Sequence, residues 1–143
     1  MTETVRVVVS RRFDALPERV FDAWLDPAIA RRWLFTTTDT QISICEIDGR
    51  VGGAFKLVDH RPDGDITHVG TYLAIERPHL LVFTFAVPQF SPLYDRVTVE
   101  IEPDGAGCVL TLTNEMDAGN AEWIEPAKEG WTMMLASLER ELT

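Results

Sequence analysis

The sequence predicts an α+β domain in which a curved antiparallel sheet of about seven strands is closed by a long C-terminal helix. Three observations predict it. From Gln41 to Glu115, short runs with an apolar period of two are separated by Gly, Pro and Asp clusters. A Val-rich strand and two short helical stretches precede these runs. In the closing stretch GWTMMLASLERELT, Trp131, Met134, Leu135, Leu138 and Leu142 fall three or four residues apart on one helix face. A stripe of that width must be buried, and the sheet is the surface available to cover it.

TVRVVVSRRF reads as the first strand because it is rich in Val. LPERVFDAWLDP then carries Pro17 and Glu18 at a helix start, an apolar set of Val20, Phe21, Trp24 and Leu25, and a stop at Asp26-Pro27. Ala28 to Leu34 gives a second short helical segment with Pro27 at its first position. QISICEI alternates around Ile42 and Ile44, and Asp48-Gly49 signals a hairpin. In VGGAFKLVD the paired glycines inside a strand imply a bulge or a close backbone approach. RPDGD makes a turn, and ITHVGTYLAIE and LLVFTF are strands divided by Arg77-Pro78-His79. DRVTVEIE and CVLTLTNE are joined across Pro103-Asp104-Gly105-Ala106-Gly107. Asn114 to Asn120 is polar and reads as a loop before the last helix, whose start is ambiguous because Pro126 either opens it or kinks an earlier turn. Alternation alone puts Phe55, Leu57, Leu81, Phe83, Phe85, Val97, Val99, Ile101, Leu110 and Leu112 on the inner face of the sheet.

The 143 residues, 45% hydrophobic and 25% charged, suit one domain spanning 1–143 with a single core. Thirteen Lys and Arg against 23 Asp and Glu give a net charge of -10, which opposes binding to nucleic acid and to anionic membrane surfaces. Cys45 and Cys108 lack CxxC spacing and no charged-then-apolar leader precedes the first strand. A reduced, cytoplasmic setting is the simplest expectation. No apolar run approaches the roughly 20 residues that span a bilayer.

The residues Pro17-Glu18-Arg19-Val20-Phe21-Asp22-Ala23-Trp24, Asp26-Pro27, Arg32-Trp33, Val51-Gly52-Gly53-Ala54-Phe55, Gly64 and Gly70 form an ordered set. The set continues through Arg77-Pro78, Leu81-Val82-Phe83-Thr84-Phe85, Val97-Thr98-Val99, Gly105, Gly107, Leu110-Thr111-Leu112-Thr113 and Gly130-Trp131. As a whole it resembles the START-related helix-grip (SRPBCC) superfamily, within it proteins similar to the activator of the heat-shock-protein-90 ATPase. The resemblance implies the order β-α-α-β-β-β-β-β-β-α and an elongated cavity between the sheet and the C-terminal helix. Arg32-Trp33 stands where two tryptophans are often found in the family. Branches of the superfamily bind or turn over hydrophobic molecules and one assists a chaperone, so the fold does not by itself deliver a function.

Rings at strand or helix spacing usually fill a core, and an excess of them also suits an apolar ligand site. The expected cavity wall is Trp33, Phe55, His68, Tyr72, Phe83, Phe85, Tyr94, Trp131, Met134 and Leu135. His60 and His79 belong to turns, whereas His68 shares a strand face with Gly70 and Tyr72. No His-x-x-x-His or Cys/His spacing suggests a metal, and no GxSxG, phosphate-binding loop or dinucleotide fingerprint is present. No cofactor is expected. Glu46, Asp48, Glu115 and Asp117 read as solvated carboxylates, although one turned into an apolar cavity would have a raised pKa. The leading expectation is a binder of a small hydrophobic or aromatic molecule rather than an enzyme. A chaperone-associated interaction module and a polyketide-cyclase-like enzyme are the alternatives. The chaperone activator carries an additional N-terminal domain, which weighs against the first of these. Exposed aromatics would equally serve a symmetric homodimer.

Overall fold

Asp26 separates the first two helices and holds the start of the second. Its backbone is extended, as expected before Pro27, and its carboxylate accepts the Ala28 N–H at 2.9 Å. In the computed structural model, which describes residues 3–36 and 41–142, these helices are α1 (Pro17–Leu25) and α2 (Pro27–Trp33). They follow β1 (Thr4–Phe13) and precede β2 (Gln41–Ile47), β3 (Ala54–His60), β4 (Ile66–Glu76), β5 (Leu80–Phe85), β6 (Asp95–Asp104) and β7 (Gly107–Asp117). A 3-10 segment, Ala118–Trp123, leads into α3 (Ile124–Leu142). This is the helix-grip architecture: the seven strands form one sheet in the order β1-β7-β6-β5-β4-β3-β2, with every pair antiparallel.

Register irregularities between Ile42 and Ile44 and between Tyr72 and Ala74 mark bulges in the β2–β3 and β4–β5 pairings. Gly70 faces Phe55 across β3 and β4. A Cβ at Gly70 would collide with the Thr84 carbonyl oxygen and the Phe55 ring, so glycine makes the space that ring occupies. Alternation identified the inner face well. Phe55, Leu57, Leu81, Phe83, Val97, Val99, Ile101, Leu110 and Leu112 are buried, and Phe85 is half-buried. On α3 the stripe closes over them with Trp131, Leu135, Leu138 and Leu142 buried and Met134 half-buried.

Two local expectations are corrected and one open choice is decided. The stretch from Asn114 is not all loop: β7 runs on to Asp117, and Asn114 and Met116 continue the inward alternation of Leu110 and Leu112. The paired glycines lie in the turn before β3, not inside it. Gly52 has φ 85° there, and a Cβ on Gly53 would strike the Asp48 carbonyl. Pro126 sits in the first turn of α3, after the 3-10 segment, where its missing N–H breaks no helical hydrogen bond. Cys108 is buried, while Cys45 is half-buried with its thiol near the Pro27 carbonyl. Among the described residues no helix is long and apolar enough to cross a membrane.

Candidate functional site

The two halves of α3 do different things. Leu135, Leu138 and Leu142 pack into solid core, whereas Ala127, Gly130, Trp131 and Met134 roof a cavity of about 310 Å³. That spacing of three and four residues is one helical face, so a single stripe serves both roles. Gly130 carries the division: a Cβ there would meet nothing within 4 Å. The floor comes from the inner-face ends of the strands, with His68, Phe85, Asp95, Asn114 and Met116. The segment joining β5 to β6 and the 3-10 segment supply Phe90 and Trp123, whose exposure of 66% and 49% shows that the cavity reaches the surface.

Four nearly parallel rings form one stack, three of which, Phe35, His68 and Phe85, wall the cavity. Phe35 lies 4.5 Å from the His68 ring at an interplanar angle of 5°, 4.9 Å from Phe85 at 8° and 6.0 Å from Phe55 at 17°. Phe35 follows α2 with φ 58°, a left-handed conformation at which a bulky side chain is strained. Burial of its ring in the stack, at 4% exposure, offsets that strain, and its N–H points to Met134 Sδ at 3.0 Å.

Polar groups enter at a few points. Trp131 Nε1–H donates to Asn114 Oδ1 at 2.9 Å, and Asn114 Nδ2–H donates to Asp95 Oδ2 at 3.0 Å. Because the indole can only donate, it fixes the orientation of the Asn114 amide. Burial raises the Asp95 pKa, and the Asn114 hydrogen bond partly opposes the rise. Burial pushes the His68 pKa down to about 4, so its imidazole is neutral at neutral pH. Its Nδ1 makes a long, 3.4 Å contact with the Leu57 carbonyl. A carbonyl only accepts, so Nδ1 carries the proton and Nε2 remains an acceptor. Arg61, at the cavity edge, donates from Nε to Oδ2 of the fully buried Asp59 at 2.7 Å, and Asp59 Oδ1 has no partner among the described residues. Asp95 and His68 are thus the titratable cavity groups able to accept a proton from a guest.

Of the expected wall residues, His68, Phe85, Trp131 and Met134 line this cavity. Phe55, Tyr72 and Phe83 instead border a void of about 10 Å³, too small for a ligand, deeper in the core beside Trp24. Burial there raises the Tyr72 pKa. Trp33 and Leu135 are not wall residues. Trp33 is fully buried where α2 meets α1, its Nε1–H donating to the Ala23 carbonyl at 3.1 Å and its ring edge-on to Trp24. Leu135 is fully buried in the core. Tyr94 lies just before β6 and is 59% exposed, because its neighbour Asp95 takes the inward position. His60 is exposed, bonded to Asp65, and His79 lies in the turn before β5. Phe35, Asp95, Asn114 and Gly130 had no place in the expected wall. Among the described residues no three His, Cys, Asp or Glu side chains gather where they could hold a metal ion.

The model of the "Activator of Hsp90 ATPase homolog 1-like protein" family matches residues 14–143. The chain belongs to this family. Solved structures similar to this AHSA1-like chain include a protein of unknown function, SA2116, from Staphylococcus aureus, with 19% identity and a TM-score of 0.86 over 98% of this chain and 94% of that one. Protein CV1439 from Chromobacterium violaceum has 26% identity and a TM-score of 0.85 over 96% and 94%. An AHSA1-like protein from Aeromonas hydrophila has 21% identity and a TM-score of 0.80 over 96% and 92%. No functionally curated protein matches the AHSA1-like chain.

Proposed function

We propose that this protein binds a small, largely apolar molecule in the cavity between the N-terminal half of α3 and the sheet. The observation that carries this reading is the cavity itself: about 310 Å³, walled by Phe35, Phe85, Trp131 and Met134, with Asp95, Asn114 and His68 among a smaller number of polar residues. Ligand sites have this make-up, mostly apolar with a few placed polar groups. The volume stands at the lower end of the roughly 300–1,000 Å³ usual for such sites, which favours a compact guest over a long lipid chain. Gly130 supports the same reading, because a helix that only had to fill a core would gain from a side chain at that position.

Native mass spectrometry of freshly purified protein, followed by thermal denaturation against a panel of polycyclic aromatics and lipids, tests it. A ligand present at 100 times its Kd adds about 2.7 kcal/mol of apparent stability. Silence across the panel, together with stimulation of the Hsp90 ATPase by the same preparation, would instead support a chaperone-associated module working through its outer surface.

A further inference from the structure

We infer that the guest is a compact aromatic amine carried as its ammonium ion, with Asp95 as the anchor for the charge. This rests on the ligand binding proposed above and specifies its chemistry.

Three titratable side chains line the cavity: Arg61, His68 and Asp95. Two are accounted for. The Arg61 charge is matched by the buried Asp59 at 2.7 Å, and His68 stays neutral within the ring stack. Asp95 differs from both. Among the described residues its one side-chain partner is the neutral amide of Asn114, on Oδ2. Among the described residues no Lys, Arg or His forms an ion pair with it. Among the described residues Oδ1 therefore meets no donor, and the half-buried anion meets no counter-charge.

The surroundings suit a cation. Phe85 stands directly opposite Asp95 across β5 and β6, and Trp131 reaches the carboxylate through Asn114. Phe85 and Trp131 lie 6.4 Å apart at 69°, so the two rings meet at an angle beside the carboxylate. Aromatic faces attract ammonium groups, and an ammonium also supplies the donor and the opposite charge that Asp95 lacks. A hydroxyl would supply the donor alone, and a carboxylate would be repelled. The net charge of -10 raises the local concentration of cations around the molecule as a whole.

Naphthylmethylamine, naphthalenemethanol and naphthoate share one ring system and differ in charge and donor. Calorimetric titration of each at neutral pH into the wild type, Asp95→Asn and Gly130→Leu tests the assignment. The amine is expected to bind the wild type at least about tenfold more tightly than the alcohol. Asp95→Asn keeps an acceptor for Asn114 and should bring the two probes level by weakening the amine alone. Gly130→Leu, which projects a side chain into the cavity, should abolish both. Equal affinities in the wild type, a preference for naphthoate, or an amine preference that survives Asp95→Asn would overturn the amine assignment while leaving binding at the cavity intact. Binding of none of the three probes to the wild type would overturn both.

Discussion

Trp131 and Asn114, one on α3 and the other on β7, are both buried and joined by a 2.9 Å hydrogen bond from the indole Nε1–H to the amide Oδ1. The bond crosses the seam between helix and sheet beside the cavity. It gives a buried donor an acceptor and directs the Asn114 Nδ2–H toward Asp95. Replacing Asn114 with Leu strands the indole N–H, at a cost of about 1–3 kcal/mol. Adding Trp131→Phe removes the stranded donor, so the double variant should lose less stability than the two single losses summed. Urea unfolding of the four proteins measures the cycle, and strict additivity would mean that the bond carries no coupling.

Gly130 weakens α3 where the helix passes over the cavity. With open space around its Cβ position, Gly130→Ala should raise stability by about 1 kcal/mol, the usual helix-propensity difference. The change appears as a higher urea midpoint at unchanged slope. A loss of stability would mean that the glycine meets a neighbour after all.

His68 makes stability depend on acid. Its pKa falls from the ordinary value of 6.5 in the unfolded chain to about 4 in the folded one. The unfolded chain therefore takes up the proton first. The stabilisation is complete above about pH 6.5, drains away as the pH falls toward 4, and amounts to roughly 3 kcal/mol over that window. His68→Phe keeps a ring in the stack and removes the titration. Subtracting its stability profile from that of the wild type between pH 7 and 4 isolates the effect, and parallel profiles would refute it.

At Phe35 the backbone and the side chain make opposite demands. Losing the buried ring costs about 3–5 kcal/mol in Phe35→Ala. At φ 58°, alanine keeps the backbone strain while glycine relieves it. Phe35→Gly should therefore be more stable than Phe35→Ala, by about 1 kcal/mol. Circular dichroism melts of the two variants decide the order, and a less stable glycine variant would show that the strain is absent.

Much of this fold was legible because its signals are periodic. Leu81 to Phe85, Val97 to Ile101 and Leu110 to Leu112 alternate, and every alternate position points to the core. The cavity was less legible because it is made where the pattern changes residue type without changing period. Asp95 precedes Val97, Val99 and Ile101 in step, and Asn114 follows Leu110 and Leu112 in step. Extending the alternation through these polar residues would have found both. Giving the inward position to Tyr94 instead of Asp95 is a one-residue shift, which in a strand means the opposite face. Trp33 was misplaced for another reason: a tryptophan at a helix end reads the same whether it meets a cavity or a neighbouring helix. Phe35 left no signal beyond its ring, one of the surplus aromatics that suit a pocket, since the left-handed position after a helix usually calls for glycine.

The central claim is that the forward half of α3 roofs a space that a guest enters. Trp131, whose indole belongs to that space, is the natural reporter, and Trp24→Phe, Trp33→Phe and Trp123→Phe together leave it as the sole tryptophan. Titration of that protein with naphthylmethylamine should give a saturable change in Trp131 fluorescence, and adding Gly130→Leu should abolish it while circular dichroism shows the fold retained. An identical titration curve with leucine at the glycine position would contradict the account, because the guest would then be sitting somewhere other than beneath the helix.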